Sequence, residues 1–157
     1  MARVQLDAVR GPVYTTVVTD AGDRWFRRRG VMQNILFVGL GGFVGSVLRY
    51  LVAGWVQKLS DAPFFPCGTL SVNVVGCLVI GLLGGWADNA NLFSPPVRLF
   101  LLVGLLGGFT TYSTFGYETV ALLRDRQALA ALGYVGLHLI LGFGAVALGY
   151  GLSTLKG

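Results

Sequence analysis

Gly104-Leu-Leu-Gly-Gly-Phe-Thr-Thr-Tyr-Ser-Thr-Phe115 packs three glycines, three threonines and a serine into one long apolar segment. Glycine and β-branched threonine both lower helix propensity, so the stretch predicts a helix that breaks. In a bilayer an exposed break leaves backbone N–H and C=O groups without water, so non-helical backbone survives only buried in protein or lining a polar cavity. A broken membrane helix carrying hydroxyls and two aromatics, Tyr112 and Phe115, is a candidate ion site. The competing reading is a small-residue face for helix packing. Packing accounts for the glycines but not for the Thr-Thr-x-Ser-Thr run.

The rest of the composition agrees with a membrane setting. The chain has 157 residues, 54% hydrophobic and 12% charged, with 24 glycines. Its mean hydropathy is +0.69. Soluble domains carry about 25% charged residues. The apolar stretches are too long and too many for a cleavable signal sequence. Cys67 and Cys77, ten apart, match no zinc spacing and read as packing residues. Six of the twelve basic residues (Arg3, Arg10, Arg24, Arg27, Arg28, Arg29) precede the first apolar segment. The net charge of +5 therefore belongs to the tail and argues poorly for nucleic-acid binding by the body.

Residues 1–31 read as a polar, disordered tail with an interfacial anchor at Arg24-Trp25-Phe26-Arg27-Arg28-Arg29. They are expected to be dispensable, since Met32 opens a segment that looks like a membrane-protein start. Residues 32–157 form the transmembrane domain, an all-α bundle of four spans at about 33–56, 68–86, 97–123 and 129–152, the third broken near its middle. Each is long enough for a hydrocarbon core of about 30 Å. Gly39-x-Gly41-Gly42-x-x-Gly45 mimics a nucleotide loop, but no strand precedes it and no acid follows at the required distance. Gly41 and Gly45 instead have the spacing that lets another helix approach. Arg49 has two readings, a side chain snorkelling to the interface or one that draws anions into a vestibule.

The remaining spans carry isolated polar residues. Thr69 and Asn73, four apart, share a face, and Asn73 either glues helices together or presents its N–H donors to a ligand. Glu118 is the only acid within the apolar region, either a functional carboxylate or a structural one bonded to hydroxyls. Tyr134, His138 and Gly142 recur every four residues as a polar stripe. His138, the only histidine, has no metal partners and reads as a hydrogen-bonding pore or interface residue.

Three motifs in this order resemble the Fluc (CrcB) fluoride-specific ion channels of bacteria. They are Gly41-Gly42-x-x-Gly45 with Arg49-Tyr50; Pro66-x-Gly68-Thr69-Leu70-x-x-Asn73-x-x-Gly76; and Gly107-Gly108-Phe109-Thr110-Thr111-Tyr112-Ser113-Thr114-Phe115. The resemblance covers about residues 32–157. It implies an antiparallel, dual-topology homodimer in the bacterial inner membrane, with two fluoride pores serving passive export. It further implies a structural, non-transported sodium ion held by main-chain carbonyls, here those of Gly107 and Thr110. Tyr112 and Phe115 match the pore aromatics, Asn73 the pore asparagine, and Tyr134 and His138 the polar track of the fourth helix. Thr69 and Glu118 match polar positions along the pathway.

Fluoride chemistry is consistent with these residues. Dehydrating a small, strongly hydrated anion takes dense hydrogen-bond donors, which Asn73, Ser113, Thr114 and Tyr134 offer. Ring edges complement an anion without a full counter-charge, and binding must stay weak enough for release. Two positions depart from the family pattern. Tyr112 stands where phenylalanine is common, and His138 where serine or threonine is, which opens a route to pH sensitivity.

Charge asymmetry bears on orientation. Counted from Met32, Arg98 and Lys156 flank one side and Arg49, Lys58, Arg124 and Arg126 the other, a weak bias of the kind dual insertion needs. The tail's six arginines would favour a cytoplasmic N-terminus and a paralogous partner of opposite orientation. The alternative is a small multidrug-type dual-topology transporter, but that class carries its essential glutamate in the first helix, where this sequence has none. A structural protein held by small-residue packing leaves Asn73 and the hydroxyls unexplained. No nucleophile–base set or metal-ligand spacing suggests an enzyme.

Overall fold

The computed structural model describes residues 28–62, 64–90 and 93–155, all helix or short connection. In order come α1 (Arg28–Leu59), α2 (Cys67–Ala90), α3 (Pro95–Arg98), a π-helical run (Leu99–Leu106), α4 (Gly107–Phe109), α5 (Tyr112–Arg124) and α6 (Ala128–Thr154). The segment from α3 to α5 is one membrane span in two halves, so four spans lie among the described residues. α1 begins at Arg28, inside the stretch assigned to the tail. The disordered-tail reading for residues 1–27 falls outside the described residues.

The break itself is much narrower than the twelve-residue stretch that predicts it. Gly104, Gly107 and Gly108 are all helical. Only Thr110 (φ −88°, ψ 155°) and Thr111 (φ −149°, ψ 114°) are extended. The expectation that glycines help to unwind the span is thus corrected. Their role is contact. A Cβ on Gly104 would meet Val38 O and Gly41, and one on Gly108 would meet Gly42. From the other side, a Cβ on Gly41 or Gly45 would fall on backbone atoms of Phe100 or Leu105. Without side chains between them the two backbones approach closely, which is how helices associate where lipid removes the hydrophobic drive. Gly41 lies beside Gly104 and Gly45 beside Phe109, so numbers rise together and the two spans run parallel.

A second parallel pair forms in the same way. Gly81 of α2 faces the backbone of Val146 and Tyr150, Gly149 of α6 faces Leu78, and Gly85 faces Ser153. α5 then packs on α6 in the opposite sense, with Leu122, Ala131 and Tyr134 as its buried contacts. α5 stops in a Schellman arrangement. Arg126 takes a left-handed φ of 58°, its N–H bonds Leu123 O, and the Gln127 N–H bonds Leu122 O.

Few side chains are fully enclosed; Val72 and Tyr134 are. Large apolar side chains instead face outward, among them Phe43 at 70%, Ile140 at 73% and Phe143 at 74% exposure. Patches of that size in water mark a contact surface or a membrane. Four apolar helices of spanning length select the membrane.

Gly45→Val and Gly149→Val should each lower the stability of the detergent-solubilised protein by about 1–3 kcal/mol, the usual cost of overpacking. Gly133→Ala, where an added Cβ meets open space, should change it by less than about 0.5 kcal/mol. Thermal unfolding of the three variants beside the wild type measures both.

Candidate ion pathway

Asn73 is the residue that holds the broken span open. Its Oδ1 accepts the Thr111 N–H at 2.8 Å, and its Nδ2 donates to Thr111 O at 3.1 Å. One side-chain amide thus satisfies both backbone groups of one extended residue, as a neighbouring strand would. In an unbroken helix the Thr111 N–H would go to Gly107 O, and the Thr114 N–H to Thr110 O. Here the first is taken by Asn73, and the second by the Thr111 hydroxyl at 3.3 Å. Gly107 and Thr110 therefore lose their i+4 partners, and these are the two carbonyls that the family resemblance singles out.

Threonine chemistry completes the break on both sides. Thr110 Oγ1 donates to Leu106 O at 2.9 Å, the carbonyl that already receives the Thr110 N–H. Such back-bonding bends helices. Thr111 is the N-cap of α5, and its hydroxyl also donates to Thr114 Oγ1 at 3.0 Å and lies 3.3 Å from Ser113 Oγ. Sequence reasoning did not assign Thr111 a site role. The signal was present: threonine is a favoured N-cap, and Thr111 stands directly before the residues that resume the helix.

A second group sits two turns along. Glu118 accepts from Thr69 Oγ1 at 2.9 Å through one carboxyl oxygen and from the Tyr134 hydroxyl at 2.6 Å through the other. Tyr134 is fully buried, with Phe65 edge-on to it at 5.5 Å between ring centres. Phe115 joins the two groups: its ring lies 5.5 Å from Tyr134 and 4.4 Å from His138. His138 in turn reaches Asn73, with Nε2 at 3.2 Å from Nδ2. Thr69, Asn73, Phe115, Glu118, Tyr134 and His138, drawn from three helices, thus form one continuous polar and aromatic line.

Other expected residues stand apart from that line. Tyr112 is 5.7 Å from Phe115 ring to ring, yet 85% of it is exposed, and Ser113 is exposed beside it. Arg49 lies one turn beyond Gly45 on α1, half-buried, and takes no part in the network. A cleft of about 410 Å³ opens next to the break, lined by Asn73, Thr110, Tyr112, Phe115 and His138 together with apolar side chains. A smaller recess of about 340 Å³ holds Glu118, Asp125 and Gln57 near the ends of α1 and α5.

Gln57 was not singled out by sequence. Its amide donates to Ala62 O and Phe65 O, at 2.9 and 3.1 Å, and accepts from the Gly68 N–H at 3.1 Å. It fastens the first connection to the start of α2 and so fixes Thr69 one residue later. The expected first span stops at about 56 and leaves Gln57 in the polar loop that follows, whereas α1 carries it and runs on to Leu59.

Asn73→Ala removes partners from Thr111, whose side chain is buried, and should cost about 1–3 kcal/mol for each orphaned group. Unfolding of the purified variant in detergent measures the loss. Faster hydrogen exchange at Thr111 than in the wild type locates it.

Residues 36–150 match the family described as CrcB-like protein, Camphor Resistance (CrcB). The chain is 41% identical over 121 residues to a protein of Methylobacillus flagellatus named fluoride-specific ion channel FluC, covering 77% of this chain and 94% of that one. Proteins of the same name from Nitratidesulfovibrio vulgaris and Chloroflexus aurantiacus are 43% and 46% identical, covering 79% and 80% of this chain and 99% of each relative. With four apolar spans, this marks a multi-pass bacterial membrane protein. Matched across most of its length by one family, and built around a break that threonines and one asparagine hold open, the chain belongs to the CrcB-like family.

Proposed function

We propose that this chain is a fluoride-specific channel, not an enzyme, that lowers cytoplasmic fluoride by passive export. The observation that carries the reading is the line from Thr69 and Glu118 through Tyr134 and Phe115 to His138 and Asn73. It offers hydroxyls and ring edges in an apolar bundle, and no lysine or arginine belongs to it. A fixed cation at mid-membrane would hold the ion too tightly for flux. An arriving fluoride competes with the Glu118 carboxyl for the hydrogens of Thr69 and Tyr134. Phe115, tilted against Tyr134 and His138 between the two polar groups, would offer its ring edge where hydroxyls are absent. The names carried by the relatives supply the ion.

The unit of function in this proposal is an antiparallel dual-topology homodimer with two pores. Tyr112, Ser113 and Gly107 are all exposed on the protomer, although they flank the break. A second copy laid against that face covers them and brings two breaks together. Counted from Met32, the weak charge bias supports insertion in both orientations, whereas a chain that keeps the six tail arginines would call for a paralogous partner of opposite orientation.

A structural sodium ion fits the same face. The Gly107 and Thr110 carbonyls, released from their helical partners, are hard neutral oxygens of the kind such cations bind. When bound, the ion would supply a ligand-satisfying charge for the two breaks and stay in place. Arg49 would act farther out, raising the local anion concentration.

Reconstituted protein should release fluoride from liposomes with chloride retained; equal leakage of both ions overturns the reading. Fluoride flux should persist in Tyr112→Phe, which keeps the ring edge, and fall at least tenfold in Phe115→Ile. Purification and assay without sodium, with N-methylglucamine in its place, should lower fluoride flux, and added sodium should restore it. Unchanged flux after exhaustive sodium removal counts against the cation site.

A further inference from the structure

The hydrogens around Asn73 are all committed. The Tyr134 carbonyl can only accept, so the His138 Nδ1 facing it at 3.0 Å carries a hydrogen. Nε2 of the neutral ring is then bare, and it takes one Asn73 Nδ2 hydrogen at 3.2 Å. The other Nδ2 hydrogen goes to Thr111 O, and Oδ1 is held by the Thr111 N–H. The amide cannot turn over, because a turned amide would set NH₂ against N–H and oxygen against oxygen at Thr111. Neutral, this pair has no N–H to spare for an anion. An anion drawing the Nδ2 hydrogen away would also meet the Nε2 lone pair.

From this geometry we infer that Asn73 and His138 form a proton-dependent fluoride site, one that holds the anion when His138 also carries a hydrogen on Nε2. The proposal rests on the channel reading and adds a second ion to it. Protonation turns the Asn73–His138 contact into two donors facing each other. Asn73 is fixed by Thr111, and His138 by its Nδ1 bond and by the Phe115 and Tyr134 rings, each 4.4 Å away. These contacts let the two donors part only a little and not turn away from each other, so the acceptor that relieves them comes from the cleft. A halide seated between the two N–H groups accepts from both, and one of the bonds is then charge-assisted. Fluoride, the smallest halide, needs the least widening of the 3.2 Å gap.

The loaded state is balanced in charge. From α6 itself Tyr134 lies 4.4 Å from His138 ring to ring, and beyond it Glu118 of α5 accepts the Tyr134 hydroxyl; Tyr112 of α5 and Asn73 and Cys77 of α2 line the cleft with His138. The third span up to the end of its break adds Leu102, Leu106, Gly107, Thr110 and Thr111 to the cleft, none of them titratable. Loading brings in one proton from water and one fluoride, forms hydrogen bonds alone and breaks no covalent bond. The site thus takes up a neutral ion pair, which avoids adding net charge to the apolar bundle.

The test is fluoride flux from proteoliposomes at symmetric pH 7.5 and 5.5, over a range of fluoride concentrations, with protein-free vesicles subtracted. For the wild type the half-saturating fluoride concentration should fall about fivefold or more on acidification, the lower end of ordinary coupling between sites. In His138→Ser and His138→Gln it should not move. Weakly buffered wild-type protein in detergent should also take up protons when sodium fluoride is added, and none with sodium chloride. That second measurement stands even if the variants fail to fold. An equal acid response in His138→Ser, or fluoride binding without proton uptake, overturns the proposal. Loss of fluoride preference over chloride at both pH values overturns the channel reading instead.

Discussion

One side-chain amide pairing with one residue's backbone holds this structure in its working form. Asn73 offers an acceptor and a donor at the spacing of a peptide unit, and Thr111 presents its N–H and C=O in extended geometry to meet them. In a bilayer, leaving those groups unpaired would cost several kcal/mol each, so an isolated helix would close the gap by refolding into regular turns. Asn73 removes that drive. Since α2 carries Asn73 and α6 carries His138, the break is also the point where three spans are tied at one depth.

Glycine and threonine divide the labour in the third span. The glycines of its first half let α1 approach until backbone meets backbone, and they remain helical while doing so. The threonines unmake the helix. Thr110 doubles the hydrogen bonding at Leu106 O, and Thr111 caps the next helix with its hydroxyl. The π-helical run before the break widens the helix just where Gly41 and Gly45 lie against it. Close packing on one side and released carbonyls on the other come from neighbouring residues with different chemistry, which is why the two can coexist within a dozen positions.

The polar line is internally satisfied. Thr69 and Tyr134 both donate to Glu118, and Asn73 donates to Thr111 and His138. Among the described residues no buried side-chain nitrogen or oxygen lacks a partner. In the proposed channel the two hydrogens on Glu118 are the ones a fluoride would compete for, while the Asn73 amide is held by Thr111 and His138. Selectivity of that channel for an ion with strong hydrogen-bond demand would follow from such competition more readily than from a fixed charge.

Composition, span length and the hydroxyl-rich stretch were enough to determine a four-span membrane bundle with a broken third helix. Those properties follow from local chemistry: apolar length against bilayer thickness, and the poor helix propensity of paired threonines. Periodicity of four likewise placed Thr69 with Asn73, and Tyr134 with His138, on shared faces. Tertiary structure alone decided where the break falls within the stretch, that Asn73 and Thr111 are partners, and that Glu118 joins Thr69 to Tyr134. It also revealed Gln57 as the fastening of the first connection. These pairings span up to 65 positions along the chain, and no local pattern encodes which of many polar side chains will meet once four helices have packed.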